Sequence, residues 1–318
     1  MKPNHGFNLD PHILPATNFT KAELDILKKE LESVFVPNSD PTDLPKELRI
    51  KAEKELGELP DTMRSNIKAL RERIQEEEML NARTDDVFLA AFLRGRKHDV
   101  DKAFQCLKNF YDFKARYPEM YKFVYPSKSP EVYDQNHFGN LPGLDKKGRR
   151  ICVIIPARIH LNDVPLIESF KLGTSILEMM LNDLVLQVSG TIIVFDMAGL
   201  SLLDQARLIT PTIAWHLTMI VQDKIPMRLK AIHVLNQPFY FNACYSVFKP
   251  LLKKKLRKRI FLHGSDMESF HQHIDPENLP EEWGGSRPSF SISLTRTLIQ
   301  LNEHKFKEWE TFSYKGII

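Results

Sequence analysis

The apolar positions of this chain change period partway along it. Thr20-x-x-Glu23 has the form of a capping box, and Leu24, Leu27, Leu31 and Val34 follow at helical spacing. Pro37 to Pro45 reads as a linker. Pro45 and Pro60 each open a further helix, the latter with Ile67, Leu70 and Ile74 on one stripe. Thr84 is placed to cap a short helix ending near Gly95, and Asp99 a longer one stopped by Pro118. Beyond residue 130 four short apolar runs replace this pattern: Ile151–Ile155, Thr191–Phe195, Ala231–Leu235 and Arg259–His263. Runs of that length, rich in β-branched residues, suit strands buried on both faces. Helical stretches at about 164–187, 201–222 and 239–258 separate them, so the alternation predicts an α/β fold with a largely parallel sheet. One more helix is expected around Leu294 to Leu301.

Composition narrows the function. Met1 to Asp10 has no apolar core of a secretory signal. The most apolar stretch, Ile176 to Phe195, is broken by Glu178, Asn182, Asp183 and Gln187, so no spanning helix is expected. Cys106, Cys152 and Cys244 are isolated and read as buried thiols. The 13 glycines include no GxG, so the phosphate-cradling nucleotide fingerprints are missing. Gly199-Leu200-Ser201 supplies half of a nucleophile elbow, but position 203 is Leu203 where the second glycine belongs. His271-Gln272-His273 offers a poor metal pair, since residues two apart do not share a helix face; surface histidines are the simpler reading. His233 and His263 read as core or edge residues, and Asp196 as a cap or turn. No metal and no cofactor is expected, and an enzyme is disfavoured.

The charge pattern is less ordinary. Residues 1–86 hold 13 Lys/Arg and 18 Asp/Glu, a net −5, whereas the remainder holds 31 and 23, a net +8. Seven of those cations fall between Lys249 and Arg259 with no acid among them. On a continuous helix from Phe239 to Arg259, Phe241, Tyr245, Phe248 and Leu252 would form an apolar face, with lysines and arginines opposite. An anionic membrane surface ranks first as its partner. A solvated core helix, nucleic acid or a nuclear localisation peptide remain open.

Several separated motifs resemble the CRAL-TRIO lipid-transfer family, in matching order, over about residues 84–285. They are Leu93 to Ala103, Ile192 to Gly199, Thr210-Pro211, Pro226 to Pro238, Lys249-Pro250, Arg259 to Gly264, and Leu279-Pro280 with Trp283-Gly284-Gly285. Within that family it resembles the tocopherol and retinaldehyde carriers. The resemblance implies a helical extension (1–83), a helical domain (84–129), a lipid-binding domain (130–287) and a tail helix (288–318). It implies an apolar cavity lined by Phe170, Gly173, Leu177, Thr191, Ile220, Met227, Leu229 and Ile232. A lid helix from Asn236 to Leu252 would cover it with Phe241, Val247, Phe248 and Leu252. Gly173 and Leu177 stand where the tocopherol carrier has serines, which makes the pocket here less polar. Arg228, Lys230, Lys255 and Arg259 match positions that hold phosphoinositide phosphates. The implied function is carriage of a tocopherol-like, retinoid or other hydrophobic ligand between phosphoinositide-containing membranes. The carrier would be a cytoplasmic monomer, reversibly bound to endosomal or other intracellular membranes, without nucleic acid. A lipid hydrolase and a phosphoinositide-reading scaffold are the competing readings.

Overall fold

The computed structural model describes residues 40–208, 210–220 and 224–315, without the side chains of 242–244. The expected capping box Thr20-x-x-Glu23, the helix behind it and the Cys244 thiol lie outside the described residues. The N-terminal helices are α1 (Lys46–Leu56), α2 (Pro60–Gln75), α3 (Asp86–Gly95) and α4 (Val100–Arg116), with a two-residue strand β1 (Leu80–Asn81) between α2 and α3. Pro60 sits in the first turn of α2, where its missing N–H costs nothing, and Met63, Ile67, Leu70 and Ile74 form the buried stripe. The Asp99 carboxylate accepts from the Lys102 amide and starts α4 as expected. Asp85, not Thr84, caps α3 by accepting from the Phe88 amide. Phe88, Phe92 and Phe110 then pack with Ile67 and Leu70 in one core.

A short helix α5 (Pro130–Asp134) leads into the main sheet. Its strands are β2 (Phe138–Leu144), β3 (Arg150–Ile154), β4 (Thr191–Asp196), β5 (Leu229–Leu235) and β6 (Ile260–Gly264). They lie side by side in sequence order; β2 and β3 are antiparallel and the other three pairings are parallel. The mainly parallel α/β fold is therefore as expected, but β2 was not legible. Its sequence Phe-Gly-Asn-Leu-Pro-Gly-Leu reads as a turn, and only an edge strand with an irregular register tolerates that proline.

The three parallel crossovers are helical, and each expected helix is two. The first splits into α6 (Leu166–Met180) and α7 (Leu184–Ser189), because Asp183 caps a new helix by accepting from Val185 and Leu186. The second splits into α8 (Leu202–Leu208) and α9 (Pro211–Met219), started by the Thr210 hydroxyl and Pro211. The third splits into α10 (Phe241–Phe248) and α11 (Lys254–Arg257). Pro250 cannot donate a helical bond and Lys253 is extended, so the continuous cationic face expected from 239 to 258 does not form.

After β6 come α12 (Met267–His271), α13 (Ser293–Leu301), α14 (Glu303–Trp309) and a short strand β7 (Ser313–Tyr314). The tail carries more than the one helix expected, and β7 pairs with β1, which returns the chain to the N-terminal helices.

A buried arginine, ion-paired within those helices, ties them to the α/β part. Arg94 is fully buried and donates to both oxygens of Glu58 at 2.8 and 2.6 Å, to Oε1 of Gln187 on α7 at 2.6 Å, and to the Pro41 carbonyl at 2.6 Å. Gly95 allows this approach, since a Cβ there would meet the Pro226 carbonyl oxygen at 2.5 Å. Burial tends to raise the Glu58 carboxyl, but the bonds from Arg94 and His98 outweigh it and hold it at about 2, against an ordinary 4.5. The stabilisation is thus present in full above the ordinary value and is lost as pH falls towards 2. Glu58→Gln should leave a buried guanidinium half-compensated and cost about 3–5 kcal/mol. Urea unfolding at pH 7 checks this, and the deficit should shrink in acid.

Candidate functional site: an apolar cavity and a basic cluster

The two faces of the sheet are treated differently. On one, Ile151, Val153, Ile192, Val194, Ala231 and Leu235 pack against Leu141, Phe270, Ile274, Leu279, Trp283 and Phe290. On the other, side chains of β3, β4, β5 and β6 face helices α6, α9, α10 and α11 across a cavity of about 350 Å3. Period-two alternation explains the division: Cys152, Ile154, Ile193, Phe195, Ile232 and Val234 line the cavity, and their neighbours face the packed side.

Of the positions implied to touch the ligand, Phe170, Gly173 and Leu177 on α6 line the cavity, as do Thr191, Ile220, Met227 and Ile232. Phe241, Phe248 and Leu252 close it from the α10 side. Leu229 and Val247 do not. The register of β4 and β5 shifts beside the Thr191–Leu229 pair, and Leu229 is packed into the surrounding cluster instead. Val247 lies off the Phe241, Tyr245, Phe248 stripe of α10, because a residue six positions on faces away from the first. Sequence reasoning missed His137, Ser169 and Thr218, which are polar, buried and part of the lining. Nothing about a single histidine after Asn136 marks it as a cavity residue.

Outside the cavity, Arg228, Lys230 and Arg259 come together. Burial and the Arg228 charge both pull the Lys230 ammonium down, and burial with Arg149 and Arg228 does the same to Arg259. Arg149, on the β2–β3 turn, was not anticipated because it is far away in sequence. Lys255 is exposed on α11, and among the described residues no hydrogen bond joins it to the other three. Glu55 of α1 sits on this cluster: its Oε2 accepts from Arg228 Nη2 at 2.8 Å and from Lys230 Nζ at 3.1 Å. Burial favours the neutral carboxyl, but these bonds prevail and keep Glu55 below its usual range.

The residues considered for catalysis are otherwise engaged. Ser201 Oγ accepts from the Asp204 amide at 3.1 Å and donates to its carboxylate at 2.5 Å, which is a helix-start arrangement. Asp196 accepts from the Trp283 indole and the Asn236 amide, both at 2.8 Å, and so clamps the packed face. His271 and His273 are half-buried rather than on the surface, and His271 bonds to the Trp283 carbonyl. His273 joins His233 and His263, with nitrogens within 4.8 Å of one another. His233 and His263 are hydrogen-bonded at 2.9 Å, and burial, with the charges of Lys147, Arg149 and Lys146, holds the His273 imidazole below its ordinary range.

One sheet face should therefore tolerate added bulk and the other should not. Ile232→Trp should reduce lipid uptake with little loss of stability. Ala231→Leu, one residue away on the packed face, should cost about 1–3 kcal/mol with uptake retained in the folded fraction. Thermal unfolding and a lipid-binding assay on both variants check this.

A CRAL/TRIO domain model matches residues 134–285, and a Pinta-like UBA domain model matches 59–129. Alpha-tocopherol transfer protein-like of Mus musculus is 33% identical over 264 residues, covering 83% of this chain and 77% of its own length. Clavesin-2 of Homo sapiens is 35% identical over 269 residues, covering 83% and 82%. Among solved structures, Sfh5 matches in fold alone, with a TM-score of 0.50 at 12% identity over 78% of this chain and 98% of that one. The parallel sheet, the one-sided cavity and these relatives together show that the chain belongs to the CRAL-TRIO lipid-transfer family.

Proposed function

We propose that the chain binds a hydrophobic small molecule, tocopherol-like, retinoid or another lipid, and carries it between membranes. The cavity carries this reading: a volume of about 350 Å3 whose walls are almost entirely hydrocarbon. Enclosing a few hundred Å2 of apolar ligand at roughly 25 cal/mol per Å2 contributes on the order of 10 kcal/mol, much of it offset by ordering the ligand and its cover. Release then needs a trigger. The α10 segment acts as the lid, in line with the expectation for Asn236–Leu252, and residues 130–287 are the ligand-holding unit beside the helical 84–129.

A membrane is the trigger. Leu202, Leu203 and Phe239 are exposed, and Phe239 is 95% so. The Tyr240 hydroxyl bonds to the Leu200 carbonyl at 2.7 Å, which brings the start of α10 beside α8. These side chains would enter the apolar layer, while Arg228, Lys230 and Arg259, joined by Lys255, take phosphoinositide phosphates. Among the described residues no helix is long and apolar enough to cross a membrane. The scaffold reading shares the docking surface but leaves the cavity without a role.

Vesicle experiments test this. The protein should move a fluorescent lipid from donor to acceptor vesicles, and Ile232→Trp should not; equal rates would refute transfer through the cavity. Combined Ala replacement of Arg228, Lys230, Lys255 and Arg259 should abolish the preference for phosphoinositide-containing vesicles. Replacing Lys249, Lys253, Lys254 and Lys258 should only weaken general attraction. Glu55→Gln should raise the phosphoinositide affinity about tenfold, because the incoming phosphate no longer displaces a paired carboxylate. Co-sedimentation at fixed salt reads all three.

A further inference from the structure

One polar feature of the cavity is unexplained by carriage of a hydrocarbon. His137 is 2% exposed and lines the cavity, yet among the described residues neither ring nitrogen has a hydrogen-bond partner. Ser169, on the first turns of α6, also lines it, and its Oγ is likewise unpartnered. The two flank one contact of the lining, that of Phe138 with Gly173 of α6. The His137 carbonyl accepts from the Ile155 amide at 2.8 Å, which sets Pro156 and Ile159 beside it, and Leu166 continues the lining one turn before Ser169. Phe138, next to His137, contacts α6 at Gly173, one turn after Ser169. Two threonines of the lining are spoken for. Thr191 Oγ1 bonds to the Arg150 carbonyl at 3.1 Å, and Thr174 Oγ1 to the Lys171 carbonyl at 2.9 Å.

We propose that this part of the lining is a head-group subsite, in which His137 and Ser169 hold the hydroxyl of an otherwise apolar, uncharged lipid. This rests on the reading of the cavity as a lipid site and specifies the class of lipid. A neutral imidazole offers one donor and one acceptor, and a serine hydroxyl offers both. Burial pushes His137 down to about 4, so the ring is neutral at physiological pH. A ligand hydroxyl donates to the unprotonated ring nitrogen and accepts from the serine, which pairs one nitrogen of the imidazole and the serine hydroxyl. A hydrocarbon leaves them unpaired, and an aldehyde can only accept. A carboxylate would be buried without a counter-ion, since among the described residues no lysine or arginine lines the cavity. Thr218 on α9, also lining and unpartnered, is available to a second polar atom of the ligand.

Matched ligands test the subsite: geranylgeraniol, the hydrocarbon of the same skeleton and the corresponding carboxylic acid, each measured by displacement of a fluorescent apolar probe. The wild-type protein should bind the alcohol at least about tenfold more tightly than the hydrocarbon or the acid. His137→Phe should lose that preference while keeping its affinity for the hydrocarbon, which a merely structural histidine would not do. His137→Gln, able to donate and accept, should retain part of it. Ser169→Ala gives a second reading should the His137 variants unfold, and it too should narrow the preference. Equal binding of alcohol and hydrocarbon by the wild-type protein, a preference for the acid, or an unchanged preference in the variants overturns the subsite and leaves the cavity reading intact. Failure of all three ligands to bind the folded wild-type protein overturns both.

Discussion

Strand order is the constraint on which the remaining architecture depends. β3, β4, β5 and β6 are parallel and lie in sequence order. Crossovers between parallel strands are right-handed, so three successive ones moving in the same direction must all lie over the same face. That face therefore receives α6 to α11, while the opposite face is left for the segment from α12 to Phe290 to cover. The covered face packs solidly, with Trp283 fully buried and fixed to Asp196. The crowded face cannot be filled equally well, because each crossover is two short helices rather than one long one. The space between them and the sheet is the cavity.

The same constraint explains why the ends of the chain matter. A sheet with an incompletely packed face needs support from elsewhere. It comes from the N-terminal helices through Arg94, Glu58 and Gln187, and from the tail through the β1–β7 pair. Both are contacts between residues remote in sequence.

The four parallel strands and the stripe of α2 were legible because burial on both faces, or on one helix face, leaves a periodic imprint on neighbouring residues. β2 left none, since an edge strand bends around its glycines and proline. The helix breaks at Asp183, Thr210 and Pro250 were each marked by a capping or breaking residue, but the apolar spacing ran through them and suggested continuity. Ten of the twelve cavity positions carried over from the family resemblance do face the cavity, while Leu229 and Val247 fail through a register shift and a helix angle. Arg94 looked like one more cation in Leu93 to Ala103, because burial of a charge is decided by a partner 36 residues away. His137 was invisible for a related reason: its importance lies in the polar atoms it lacks for neighbours.

The account's central claim is that the cavity is occupied by lipid in the working protein. Purified protein incubated with a membrane lipid extract, re-isolated and extracted with organic solvent, can be analysed by quantitative mass spectrometry. The prediction is retention of one class of apolar lipid at close to one molecule per chain. A folded protein that returns from the same treatment with no lipid above a non-binding control would contradict it.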